Sequence, residues 1–318
     1  MLEEKKLEDL VDNYNFQRVP LSSSQRENLE KIYPYYGAQG IIDYVEDYIF
    51  DGEFILVAED GENLKSQKNN VCTFATGKFW VNNHAHIIKA NSENDNKYIF
   101  YKLNQIDFKR FVTGSAQPKL TKDNLNSIKL NVHKFAEQQK IASVLSTLDD
   151  KIALNNQINA TLEQMAKTLY DYWFVQFDFP DDNGKPYKSS GGEMVYNDIL
   201  KREIPKGWES SNILKVADLL GGGTPRKDNP DFWNGNIPFF TPTDCDNSVF
   251  VLKTSDNITD LGLSKSSTKL FKENTIFITA RGSVGRMSLN AVPMAMNQSC
   301  YALQPKEKSD YSYLFFLK

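Results

Sequence analysis

The stretch from Glu137 to Phe174 contains neither proline nor glycine. Within it Ile141, Leu145, Leu148, Ile152, Asn155, Asn159, Leu162, Ala166, Leu169 and Trp173 recur at alternating spacings of four and three. That period, sustained over more than four heptads, predicts one continuous helix with a coiled-coil seam, about 55 Å long at 1.5 Å per residue. Helices that pack only on their own domain usually run about 8–20 residues. A segment of this kind holds other parts together or apart rather than filling a core. Asn155 and Asn159 interrupt the seam, and polar seam positions commonly fix register and partner number at a cost in stability. All the seam residues except Ala166 are candidates for helix pairing.

On either side of this helix lies a repeat. YPYYGAQG (33–40) precedes FDGEFILVAEDG (50–61) and then FWVNNHAHIIKANSENDNKYIFYKLN (79–104). After the helix, IPFFTPTD (237–244) precedes FKENTIFITARGSVG (271–285) and PMAMNQSCYALQPKEKSDYSYLFFLK (293–318). Each copy reads as an aromatic strand, a turn, a buried strand ending in glycine, an Asn-containing strand, a polar turn and an aromatic helix start. The expected fold class is α/β (α+β), with two small domains separated by the long helix. Their side chains differ while the skeleton repeats, as two readers of different ligands on one scaffold would. Residues 178–207, rich in Pro, Gly, Ser and Asp, read as an exposed connector.

The 318 residues suffice for about two domains. No apolar run approaches the ~20 residues of a membrane span, and the charged start MLEEKKLEDL has no leader-like apolar core. Three widely spaced cysteines (Cys72, Cys245, Cys300) fit a reducing cytoplasm and argue against a zinc ribbon or a disulfide framework.

Catalytic signatures are missing. No Asn/Asp-Pro-Pro-aromatic motif or methyl-donor loop occurs. Gly221–Pro225 lacks the Lys-Ser/Thr of a phosphate-binding loop and reads as a turn before a strand at Ile237. Pro180-Asp181-Asp182 has no following acid and lysine of a nuclease. His84 and His86, two apart on a strand pattern, are expected to share a face with no third metal ligand evident, which favours a structural role. The aromatic clusters (Tyr33, Tyr35, Tyr36; Phe239, Phe240; Tyr311, Tyr313, Phe315, Phe316) read as packing rather than as base-stacking platforms.

The runs GSAQPKLTKDNLNSIKL (114–130) and EQQKIASVLSTLDDKIALNNQINATLEQMAKTLYDYWFVQFDF (137–179) resemble the end of a target recognition domain and the central helix of Type I restriction-modification specificity subunits. EIPKGWE (203–209) is similar to that family's entry into its second recognition domain. GGGTPRKDNPDFWNGNIPFFTPTD (221–244), ITARGSVGR (278–286) and MAMNQSCYAL (294–303) resemble the start and core of that domain. The resemblance implies a first recognition domain over 1–132, the central helix over 133–176, a linker over 177–205 and a second recognition domain over 206–318. It implies a cytoplasmic, non-catalytic DNA-binding subunit, reading a bipartite duplex site in defence against foreign DNA. Modification (methyltransferase) and restriction (motor-nuclease) subunits would dock on it. S-adenosylmethionine and ATP/Mg would belong to those partners, and this chain would bind no cofactor and no metal. The family has a distal helix packed on the central one, which the sequence to Lys318 does not include. The seam is therefore expected to pair with a second copy or be covered by modification subunits. The alternative is a silent or truncated specificity subunit acting only as a coiled-coil interaction protein.

The net charge of −4 disfavours DNA binding by electrostatics alone. Locally, however, Lys97, Lys102, Lys109, Arg110, Lys119, Lys122 and Lys129 face only Asp107 and Asp123 over one stretch. A duplex reader needs Arg or Lys for guanine, Asn or Gln for adenine and further cations for phosphates, on loops held by a rigid scaffold. The candidates are Gln39, Lys65, Gln67, Lys68, Gln117 and Lys119 in the first repeat. In the second they are Thr224, Arg226, Lys227, Arg281, Arg286 and Gln298.

Overall fold

A computed structural model describes residues 2–114, 118–246, 248–307 and 314–316. It divides into two compact units, Met1–Asn155 and Asn156–Lys318.

The first unit carries β1 (Glu3–Lys6), β2 (Val11–Asn13), β3 (Tyr33–Gly37), β4 (Gly40–Val45), β5 (Phe50–Ala58), β6 (Cys72–Val81), β7 (Ala85–Ala90) and β8 (Lys129–Val132). Six of them form one sheet in the order β2-β7-β5-β6-β3-β4, and β1 pairs separately with β8. The run FILVA in β5 is apolar throughout because both faces of the sheet are covered. Ile55 and Val57 point to a core that includes Tyr98, Ile99 and Leu103 of the helix Asn96–Leu103. Phe54 and Leu56 point to the other face, against Phe79, Val81 and Ile87. Asp95 caps that helix by accepting from the Tyr98 amide at 2.8 Å.

The central helix spans Phe135–Tyr170 and widens into a π-helical turn over Asp171–Val175. The first unit fixes its start. Gln138 is buried, and its amide accepts from Asp95 N (2.9 Å) and donates to Asn94 Oδ1 (2.9 Å) and His133 O (2.8 Å). Ala142 is buried and Ile141 packs against the same core, so Ile141 serves its own domain. From Leu148 on, the seam is open: Leu148, Ile152, Leu162 and Leu169 are each about half exposed, and Asn155 and Asn159 are exposed. Trp173 lies in the π-helical turn, whose i→i+5 bonding carries it out of the heptad register. Beside the seam runs a second apolar row that the single-seam reading missed. Val144, Leu154, Ile158 and Met165 are also exposed, on an adjacent heptad track.

The second unit contains β9 (Met194–Asn197), β10 (Arg202–Pro205), β11 (Ala217–Gly221), β12 (Trp233–Phe240), β13 (Phe250–Val251), β14 (Asp256–Ile258), β15 (Ile276–Thr279), β16 (Met287–Asn290), β17 (Ala295–Met296) and β18 (Cys300–Pro305). Its sheets run β11-β18-β15-β16-β13 and β14-β12-β17, with β9 and β10 as a hairpin. Residues 178–207 therefore hold more structure than a connector. Asp178 is buried and takes Ser189 N at 2.7 Å, and Phe179 stacks between Tyr187 and Trp208. The glycine-rich turn follows β11, and the next strand opens at Trp233, earlier than Ile237.

The repeat is visible in the pairing. β5 lies between β6 and β7 as β15 lies between β16 and β18, and β2 borders β7 as β11 borders β18. β3 runs parallel to the end of β6, as β12 does to β17. All three cysteines are buried and free, and burial pushes the Cys300 thiol up to about 12.

Candidate nucleic-acid interface

In the first unit the loops after β5, before β7 and around Lys119 meet at one end. Glu59 receives Arg18 at 2.7 Å and Lys119 at 3.3 Å. Arg18 also donates to the Ala85 carbonyl at 2.9 Å and the Asn83 carbonyl at 3.3 Å. Burial alone would raise the Glu59 pKa, but the bonds from Arg18 and Lys119 outweigh it and hold the carboxyl below its usual range. His86 is 1% exposed. Its Nε2 lies 2.7 Å from the Leu120 carbonyl, which can only accept, so the proton sits on Nε2 and Nδ1 accepts from Asn15 at 2.8 Å. Burial lowers its pKa and keeps the ring neutral. His84 does not share this face: it precedes β7, is exposed, and pairs with Asp60 at 2.6 Å.

Gly61 (φ +109°) takes the turn between these groups, with the Gln39 amide 3.7 Å from where a Cβ would stand. The end thus brings together Gln39 and Lys119 of the candidates, with Arg18, Asp60 and His84 beside them. Lys65 lies on the short helix Asn63–Ser66, and Gln67 closes it at φ +46°. The Gln67 amide donates to the Ile106 carbonyl at 2.8 Å, so it braces the fold, and Lys68 is exposed next to it. Gln117 lies outside the described residues.

In the second unit Gly222 and Gly223 let two backbones touch. A Cβ on Gly222 would stand 2.2 Å from the Asn297 carbonyl, and one on Gly223 would stand 2.2 Å from Ser267 Oγ. Close packing, not phosphate binding, explains these glycines. Thr224 Oγ1 donates to Gln298 Oε1. Arg226 is exposed and paired with Asp228 at 2.7 Å, and Lys227 is exposed beside it. The bond from Arg226 holds the Asp228 carboxyl below its usual range.

The loop Ala280–Arg286 leaves β15 and returns to β16. Buried Thr279 braces it: its amide donates to Arg286 O (2.9 Å), its carbonyl accepts from Gly285 N (2.8 Å), and its hydroxyl donates to Ser283 O while accepting from Arg286 N (3.1 Å). The Arg286 guanidinium donates to the Cys245 carbonyl at 3.3 Å. Arg281 is exposed, with no ion pair among the described residues. Thr224, Gln298, Arg281 and Arg286 therefore lie on neighbouring loops, and Arg226 and Lys227 continue from Thr224.

Matching hydrogen bonds show that these are the same end of the repeated scaffold. Asn82 N donates to Tyr36 O, and Asn297 N to Phe240 O, both at 3.0 Å. The Asn82 and Asn297 side chains each accept the amide two residues on, at 2.8 and 2.9 Å. Glu59 N then meets His84 O at 2.9 Å, as Ala280 N meets Ser299 O at 2.8 Å. Glu59-Asp60-Gly61 stands where Ala280-Arg281-Gly282 stands in the other copy. Sequence reading missed Arg18, Glu59 and Asp60, whose partners lie far away along the chain. The only signal was the position of Glu59 and Asp60 directly after the buried strand.

A family model described as Type I restriction modification DNA specificity domain matches residues 2–164 and 205–318. The Type I restriction enzyme HindI specificity subunit of Haemophilus influenzae is 29% identical over 244 residues, covering 62% of this chain and 53% of that protein. The MjaIX specificity subunit of Methanocaldococcus jannaschii is 32% identical over 198 residues, covering 62% and 44%. The chain thus spans about half the length of these curated relatives. The crystal structure of a Type I restriction-modification S subunit from M. genitalium shares the fold, with a TM-score of 0.57 at 15% identity over 99% of this chain and 75% of that one. Matched on both sides of its central helix, the chain belongs to the family of Type I restriction-modification DNA specificity domains.

Proposed function

We propose that this chain is the sequence-reading, non-catalytic subunit of a Type I restriction-modification complex, and that each unit reads one half of a bipartite duplex site with the loops at its matching end. The observation that carries this reading is one hydrogen-bonded scaffold present twice with opposite loop chemistry, within a family of DNA specificity domains. Its relatives are named specificity subunits. S-adenosylmethionine and ATP/Mg act on the partner subunits.

The central helix is the docking element for modification subunits, for a second copy, or for both. Its two adjacent apolar rows form an arc wider than one helical neighbour covers, and an exposed arc of that size is an association surface. The restriction subunit joins the complex so formed. Co-expression with a modification subunit tests the assembly. A stable complex that is lost in the double variant L154D/I158D, with the folding of the chain unchanged, is the expected result. A monomer that never associates would refute this part of the reading.

A further inference from the structure

Val284 is 72% exposed, at the tip of a loop whose neighbouring elements are otherwise well packed. Gly282 (φ +77°) and Gly285 (φ +82°) flank it in conformations that favour glycine, and Arg281 and Arg286 lie just outside them. The loop is held on three sides: by the Thr279 bonds, by Ala280 N to Ser299 O, and by Arg286 to Cys245 O. An exposed branched apolar side chain on a braced loop, with an arginine on either side of it in the sequence, has little to offer its own domain. It suits a polyanion with apolar surface inside its groove, which is duplex DNA. The matching corner of the other unit ends in Glu59 and Asp60, and its loop presents no such tip.

Resting on the DNA-reading role proposed above, we infer that Val284 is an apolar base contact of the second unit, seated in the groove while Arg281 engages the flanking phosphate. Its ligand is the apolar surface of a base: either a thymine methyl group or the face of a base drawn out of its stack.

The test uses the chain in complex with its modification subunits and a duplex carrying the site that the complex methylates. Val284→Ser, checked for an unchanged melting temperature, lowers affinity for that site about tenfold and for random duplex less than twofold. Arg281→Ala lowers both and flattens the salt dependence. Replacing site thymines singly by deoxyuridine costs the wild-type complex about fourfold at one position, and costs Val284→Ser nothing there, if the methyl is the ligand. Brightening of a 2-aminopurine placed in the site, absent in Val284→Ser, identifies an unstacked base instead. A specificity ratio unchanged by Val284→Ser, or a loss with neither signature, overturns the inference while leaving the recognition role intact. A wild-type complex that does not separate its site from random duplex sinks both.

Discussion

At one corner of the repeated scaffold, the first unit places Glu59-Asp60-Gly61 and the second places Ala280-Arg281-Gly282. In the first, the acids neutralise their cationic neighbours: Arg18 and Lys119 close on Glu59, and His84 closes on Asp60. In the second, Arg281 stays open and Arg286 is aimed by a backbone carbonyl. The backbone fixes where the loops sit, and a few side chains decide the sign of charge that they present. One scaffold can then serve two different sequences.

The largest effect that would sharpen this contrast concerns glycine. Gly222→Ala forces a Cβ onto the Asn297 and Met296 carbonyls and destabilises the second unit by about 2–3 kcal/mol in urea unfolding. Gly61→Ala meets only a flexible Gln39 amide, so it pays backbone strain alone, about 1–2 kcal/mol. Equal costs would mean that the two ends are not built differently.

Next is the acid itself. Glu59→Ala leaves the part-buried Arg18 without its carboxylate and costs about 2 kcal/mol of stability. It also releases Lys119, so the salt dependence of DNA binding steepens by about one phosphate contact. An unchanged salt slope would show that these cations do not face DNA.

A third prediction concerns pH. His86 is neutral when folded because burial lowers its pKa. The folded state therefore binds fewer protons than the unfolded one below the ordinary histidine value of about 6.5, so the stability present above that value is lost as pH falls. The melting temperature of the first unit should drop between pH 7.5 and 5.5, and His86→Gln should flatten the drop. Glu59 titrates lower, through its depressed carboxyl, and adds its loss only in more acidic solution. The smallest effect belongs to Asp228→Ala. The exposed pair with Arg226 contributes little to stability, so melting is unchanged while DNA affinity rises slightly.

Much of the fold could be read in the sequence because it rests on local periodicity. The central helix follows from its spacing of apolar residues, and the repeat follows from two buried strands ending at glycine and the two Asn-containing segments after them, although Asn82 and Asn297 stand in turns rather than in strands. Features set by contacts across long sequence separation were hidden. Arg18 and Glu59 are 41 positions apart, and nothing local in either announces the other. The hairpin at 194–205 is too short for its alternation to outweigh the surrounding Gly and Ser. The second apolar row on the helix was present in Val144, Leu154, Ile158 and Met165, but one heptad track drew the reading away from its neighbour. Among the candidate contacts, loop placement located Gln39, Lys119, Thr224, Arg281, Arg286 and Gln298 at the matching ends. It could not show that Gln67 is engaged by a backbone carbonyl.

The central claim is that two different readers sit on one chain. It is tested most directly by mapping methylated bases in DNA from cells that carry this chain with its modification subunit. The account predicts an asymmetric bipartite motif. A palindromic motif, which two copies reading with the same unit would give, or no motif at all, would contradict it.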